Sequence, residues 1–374
     1  MTRPRITGAL AALGVLGAIA TGLGFTIDPT QAAFSYLTAW AYATSIALGA
    51  LIFLMIGHAV GARWTVVFQR LTEIVTGALP ALAVLFVPIA LSAGKLYPWV
   101  DPSPLLPAEA AERLAHKAAY LNLPFWIGRA AAFLLAWIAL GELLARRGGR
   151  VRALASAGLP VVGLTLTFAA FDWLMSLTPL WTSTIFGLIY FAGGFVATLA
   201  LIAVLARVTR ARPDVARTIT NSHIGALGRL MFAFLVFWAY MELSQGLIIW
   251  IANKPDEVPW YVARGAEHWG GVFTLLVVGH FALPFFGLMP RAVKRRGGPL
   301  AIAGAWLLLM HYVDVYWLVM PVLHPQIAPS WLDAAALAGV VGIATCFALL
   351  RRRARVPIAL DDPGLALALN YEGT

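Results

Sequence analysis

Long stretches of this chain carry no alternation between apolar and polar positions at either the helical or the strand period. Ten of them are simply apolar, and each is long enough to cross a hydrocarbon core of about 30 Å as a helix. They cover approximately 7–25, 33–59, 72–93, 123–144, 154–177, 182–206, 227–251, 269–290, 299–320 and 332–350. A lone span in lipid must satisfy its own backbone hydrogen bonds, so helices are expected. The alternation that a membrane barrel needs is missing. The expected fold is an all-α integral membrane protein.

Composition agrees: 61% of the 374 residues are hydrophobic and 12% are charged. That is about half the charged fraction of a soluble protein. The +10 formal charge could suggest nucleic acid, but its distribution argues otherwise. Twenty Lys and Arg residues fall in alternate connections on one side, in groups such as Arg146, Arg147, Arg150 and Arg152 or Arg291, Lys294, Arg295 and Arg296. Five (Lys95, Arg113, Lys117, Lys254, Arg264) fall on the other side, and Arg129 and Arg229 lie near or within helices. The positive-inside rule then predicts cytoplasmic termini. The segment after MTRPR resembles a signal peptide but has no convincing cleavage site, so it reads as a retained helix.

The connections are short except for 92–122, where AEAAERLAHKAAYL predicts an amphipathic helix. Its apolar face (Leu114, Ala118, Leu121) would lie on the membrane or on a partner. The single cysteine, Cys346, leaves no disulfide and no cysteine cluster for iron–sulfur or zinc.

Ionisable residues inside spans cost at least ~2.5–3.5 kcal/mol on insertion scales, so they mark protein or water interiors. Asp172, Glu242, His280, His311 and Asp314 form an outer-to-middle set, and His58, Glu73, Glu142 and Arg229 an inner set. Glu73 and Glu142 lie near arginines and read as surface ion pairs. Asp172 could reach the headgroups, whereas Glu242 is too deep to do so. Trp238, Glu242 and Gln245 share a face, His311 and Asp314 are three residues apart, and Pro284 interrupts the helix one turn after His280. Acids and imidazoles together suit proton relay or hydrogen bonding to a quinone. A track from Asp172 through Asp314, Glu242, His311 and His280 is the expectation.

The strings FDWLMSLTPLWTSTIFGLIYFAGGF, LGRLMFAFLVFWAYMELSQGLIIWIANKPDEVPWY, HFALPFFGLMPRAVKR and DVYWLVMP resemble the second (F-type) NrfD-like membrane subunit of alternative complex III, a bacterial quinol:cytochrome c oxidoreductase. The resemblance covers roughly 156–321. It implies two four-helix bundles: the second to fifth spans in 31–180, and the sixth to ninth in 181–322. The first and last helices (1–30 and 323–374) lie outside them. It also implies the bacterial inner membrane, a sister NrfD-like subunit, an outer iron–sulfur protein and c-type cytochromes, with haem and iron–sulfur centres on those partners. This subunit would be non-catalytic alone, with proton conduction or quinone contact as its contribution. One departure stands out: the family's turn after DWLMSL often reads acidic-Pro-His-Trp, and here Thr178-Pro179-Leu180-Trp181 lacks both ionisable groups. The alternatives from the residues alone are a proton-coupled secondary transporter, for which no helix break matching Pro284 is evident in the first half, and a purely structural anchor.

Overall fold

The computed structural model describes residues 3–103, 107–146, 150–213, 215, 218–255, 257–265, 268–351, 358, 362 and 364–372. Five of the arginines counted above, Arg147, Arg217, Arg352, Arg353 and Arg355, lie outside the described residues.

Ten helices among the described residues are long and apolar enough to span a membrane. They are α1 (Thr7–Ile27), α2 (Pro29–Ala59), α3 (Arg63–Leu91), α4 (Leu123–Ala145), α5 (Val151–Leu177), α6 (Phe186–Arg210), α7 (Asn221–Ala252), α8 (Gly270–Leu288), α9 (Gly297–Val322) and α10 (Trp331–Arg351). No strand occurs among the described residues. The protein is an all-α, multi-pass membrane protein. With ten crossings, α1 begins and α10 ends on one face, called here the terminal face; the opposite one is the far face.

Several boundaries differ from the hydropathy reading, and polar caps explain the differences. Asp28 accepts from Gln31 N at 3.0 Å and starts α2 before its apolar run. Thr220 and His223 form a reciprocal capping box that starts α7 at Asn221. At α6 the reverse happens. Trp181 stacks on Trp260 at 4.3 Å and Ser183 Oγ donates to Gln245 Oε1 at 2.6 Å, so this stretch is held as a turn until Phe186.

The helix pair α2 and α6 forms the centre. From Gln31 to Met55 almost all of α2 is buried. The two axes approach closely where side chains are small, as expected without a hydrophobic drive between helices in lipid. A Cβ on Gly194 would stand 2.7 Å from Ser45 Cβ, and one on Gly49 only 2.9 Å from Gly194 O. Thr198 Oγ1 donates to Ile46 O at 2.8 Å and Tyr190 Oη to Ala41 O at 2.7 Å, so hydrogen bonds reinforce the crossing. Around this pair, α2, α3, α4 and α5 pack in sequence as one ring, and α6, α7, α8 and α9 as another. Helices α1 and α10 pair with each other and lie against α2.

Two spans are interrupted. In α3, a 3-10 segment (Arg63–Phe68) is followed by short helices Gln69–Thr76, Leu79–Val84 and Val87–Leu91. Pro80 and Pro88 accompany the breaks, so the first half does contain an interrupted helix, contrary to the sequence reading. In α8, residues Leu276–Ala282 wind as a π-helix ahead of Pro284. Pro284 has no N–H to donate, and Leu283 N–H reaches back five residues to Val278 O. That leaves Gly279 O without its usual donor, and Trp306 Nε1 supplies one at 2.7 Å. The breaks in α3 are closed in the same way. Trp40 Nε1 donates to Leu82 O and Tyr36 Oη to Leu85 O, both at 2.8 Å.

The helix in the long connection runs over Ala108–His116, and Leu114 is buried in the protein's own core. Leu121 packs against that core as well. Leu114 and Leu121 of the expected apolar face therefore turn to the protein's own core, and Ala118 is exposed.

Candidate functional site

The second ring gathers four of the nine polar residues picked from the spans. On α9, His311 and Asp314 lie on the same side, with His311 Nδ1 3.6 Å from Asp314 Oδ2. Both are almost fully enclosed. On α8 the π-helix carries His280, wholly buried and stacked on the Trp238 indole of α7 at 4.0 Å and 17°. One turn beyond Trp238 on α7 stands Glu242, within electrostatic reach of Asp314, and His280 is within reach of both Asp314 and His311. Electrostatic interactions thus link four residues from three helices.

Their hydrogen bonding is incomplete. Glu242 Oε1, Asp314 Oδ1, His311 Nδ1 and both ring nitrogens of His280 are buried without a hydrogen-bond partner. Buried polar groups in folded proteins are nearly always paired. Five such atoms lie on these four side chains, while those elsewhere lie singly on residues such as Trp99, Trp173 and Trp181.

Ser45 of α2 anchors His311. Its Oγ lies 2.8 Å from Tyr42 O and 2.8 Å from His311 Nε2, so one hydroxyl ties the imidazole of α9 to α2 and leaves Nδ1 on the side of Asp314 Oδ2. Gly193 of α6 makes the room: a Cβ there would stand 3.0 Å from Asp314 Oδ2 and 3.1 Å from His311 Nδ1.

Toward the far face, a short helix Val258–Gly265 covers the ring. Burial, with the charge of Glu242 adding to it, holds the Tyr261 phenol well above its usual range, so it stays a hydroxyl donor near that acid. Arg264, buried beside it, stacks on Trp260 with its guanidinium carbon 3.8 Å from the ring centroid and donates to Leu318 O at 2.9 Å.

Asp172 belongs elsewhere. It is fully buried on α5 and held by Arg129 of α4, with Nε to Oδ2 at 2.8 Å and Nη2 to Oδ1 at 2.9 Å. The guanidinium also lies over the Tyr120 ring at 3.8 Å. Trp126 Nε1 and Ser176 Oγ donate to the Asp172 carbonyl at 2.9 and 2.6 Å. Both carboxylate oxygens are committed to an ion pair within the first ring. Asp172 is a locking residue there, and the expected track loses its outer end.

The inner set disperses. Glu142 pairs with Arg351 of α10 at 2.9 Å, and the buried Glu73 with Arg70 at 2.9 Å, as ion pairs near the terminal face. His58 Nε2 lies 3.2 Å from Gln69 Nε2, and Arg229 is exposed on α7. None of the four is among the neighbours found for the α7–α9 cluster.

Several participants are invisible to a search for charge. Ser45 and Gly193 are two. Arg129 could be found by depth matching, since it sits near the far-face end of α4 as Asp172 does on α5. A further polar group joins α2, α10 and the connection before α10: Asp333 accepts from Ser35 Oγ at 2.5 Å and Ser330 N at 2.8 Å, and His324 Nε2 meets Gln31 Oε1 at 2.5 Å. That group is satisfied by its own partners. Among the described residues no three His, Cys, Asp or Glu side chains are grouped as a metal ion would need.

No family model and no curated protein matches the chain.

Proposed function

We propose that this chain is the membrane subunit of a respiratory quinol-oxidising complex in a bacterial inner membrane, with both termini cytoplasmic, and that its α7–α9 ring carries protons. The observation that carries the reading is the electrostatic linkage of Glu242, His280, His311 and Asp314, with five unpartnered buried atoms among them. Acids and imidazoles together can accept and release protons, which suits a relay. Support for the respiratory setting comes from the sequence strings that resemble the F-type NrfD-like subunit. Haem and iron–sulfur centres would then reside on partner subunits, with a sister NrfD-like subunit beside this one.

Quinone contact is a second use of the same residues: Trp238 covers the face of His280, and the two in-plane nitrogens of that imidazole are without partners.

The transporter reading has one observation in its favour, the interruptions of both α3 and α8. Broken helices in transporters expose carbonyls that coordinate substrate ions. Here the freed carbonyls of Leu82, Leu85 and Gly279 are taken by Trp40, Tyr36 and Trp306. The interruptions are thus closed by side chains, and the complex subunit remains the better reading.

Mild-detergent purification from the native membrane tests it. Haem and iron–sulfur absorbance should copurify with the chain, together with quinol-oxidising activity. Isolation of the chain alone, without redox-active partners, would defeat the proposal.

A further inference from the structure

A cavity of about 360 Å³ opens on the terminal face, lined by Arg207, Arg210, Asn221, Arg296, Gly297 and Gly298. Three helix ends meet there: the last turn of α6, the first residue of α7 and the start of α9. Arg207 and Arg210 lie across the beginning of α9, since a Cβ on Gly297 would stand 3.2 Å from Arg210 Nη1 and 3.8 Å from Arg207 Cδ. Arg210 Nη2 donates to Asn221 Oδ1 at 3.1 Å. No carboxylate pairs with any of the three arginines among the described residues.

Three guanidinium groups gathered at one cavity repel one another unless an anion joins them. Arginine forks match the oxygens of a phosphate. The amides at the start of α9, whose α-helical part runs 23 residues from Gly297 to Val319, add N–H groups and the positive end of a dipole. The depth is that of a lipid headgroup, because all three helices leave the apolar layer here. Exposed apolar side chains follow the cavity residues along two of these helices: Val208, 63% exposed, directly after Arg207, and Ile302, 74% exposed, in the second turn of α9. Such neighbours suit acyl chains and would be out of place around a site for a soluble anion.

We propose that this cavity binds the phosphate of an anionic phospholipid, with Arg207, Arg210 and Arg296 as its ligands and the lipid tails running beside Val208 and Ile302. The site lies on the terminal face, apart from the α7–α9 cluster, and the proposal does not depend on the respiratory reading.

Native mass spectrometry of the full chain, purified and offered defined lipids, tests this. Phosphatidylglycerol should be retained at least tenfold better than phosphatidylcholine by the unaltered protein. The double variant Arg207→Gln, Arg210→Gln should lose about thirtyfold in that retention, the worth of two basic residues at a lipid surface. The charge-matched control Arg146→Gln, Arg150→Gln, on the connection between α4 and α5, should keep it. Equal retention of the two lipids by the unaltered protein would overturn the proposal whether or not the variants fold. So would an equal loss in the control, or displacement of the lipid by inorganic phosphate or glycerol 3-phosphate at matched concentration.

Discussion

At the level of single residues, the division between Asp172 and Glu242 matters most. Both are acids within apolar helices, and hydropathy treats them alike. Asp172 meets a guanidinium in bidentate geometry, whereas Glu242 Oε1 meets no partner. Removing one member of a buried ion pair strands the other, at a cost of about 3–5 kcal/mol. Asp172→Asn or Arg129→Ala should therefore lower thermal stability sharply. The apolar double replacement Arg129→Met, Asp172→Leu should recover most of the loss, read by thermal unfolding in detergent. Gly193 makes a different prediction. The Gly193→Ala methyl would press on both His311 and Asp314. Overpacking of this kind costs about 1–3 kcal/mol, and here it should also impair proton movement while leaving partner binding unchanged. The identity of the acids was legible in the sequence, because charge within apolar runs stands out. Their sorting was not, because it depends on which neighbouring helix brings an arginine to the same depth.

At the level of elements, the ten spans followed from apolar length alone, and their ends shifted wherever a polar cap or a tertiary contact outweighed hydropathy. The Thr220–His223 capping box and the Trp181–Trp260 stack are examples. The interruption of α8 was foreshadowed by Pro284, but its π-helical form was not. A π-turn needs an outside donor for the carbonyl it leaves behind, and Trp306 lies on another helix. Trp306→Phe removes that donor and leaves Gly279 O buried. The loss should be about 1–3 kcal/mol and should loosen the segment carrying His280. Hydrogen exchange over 276–282 measures this: faster exchange confined to that segment is expected, and unchanged protection would show that the indole is dispensable. The breaks in α3 went unrecognised in the sequence because Pro80 and Pro88 sit among residues that otherwise favour a continuous span.

Across the whole molecule, the two rings divide the work. The α2–α5 ring is closed by paired charges and an aromatic lattice that includes Trp40, Trp126 and Trp173. The α6–α9 ring holds acids and imidazoles with unpartnered atoms at its centre. Ser45 on α2 reaches across the interface to His311, so one hydrogen bond links the two rings at the cluster. A chain built only as an anchor would gain stability by exchanging the unpartnered groups for apolar ones, since buried polar atoms without partners are costly. Their presence is what the proton-carrying role accounts for. The most direct test is the number of protons translocated per electron by the assembled complex in sealed vesicles, compared with a Glu242→Gln variant that assembles normally. A lower ratio in the variant, with electron transfer still running, is the predicted result. An unchanged ratio would contradict proton carriage through this cluster.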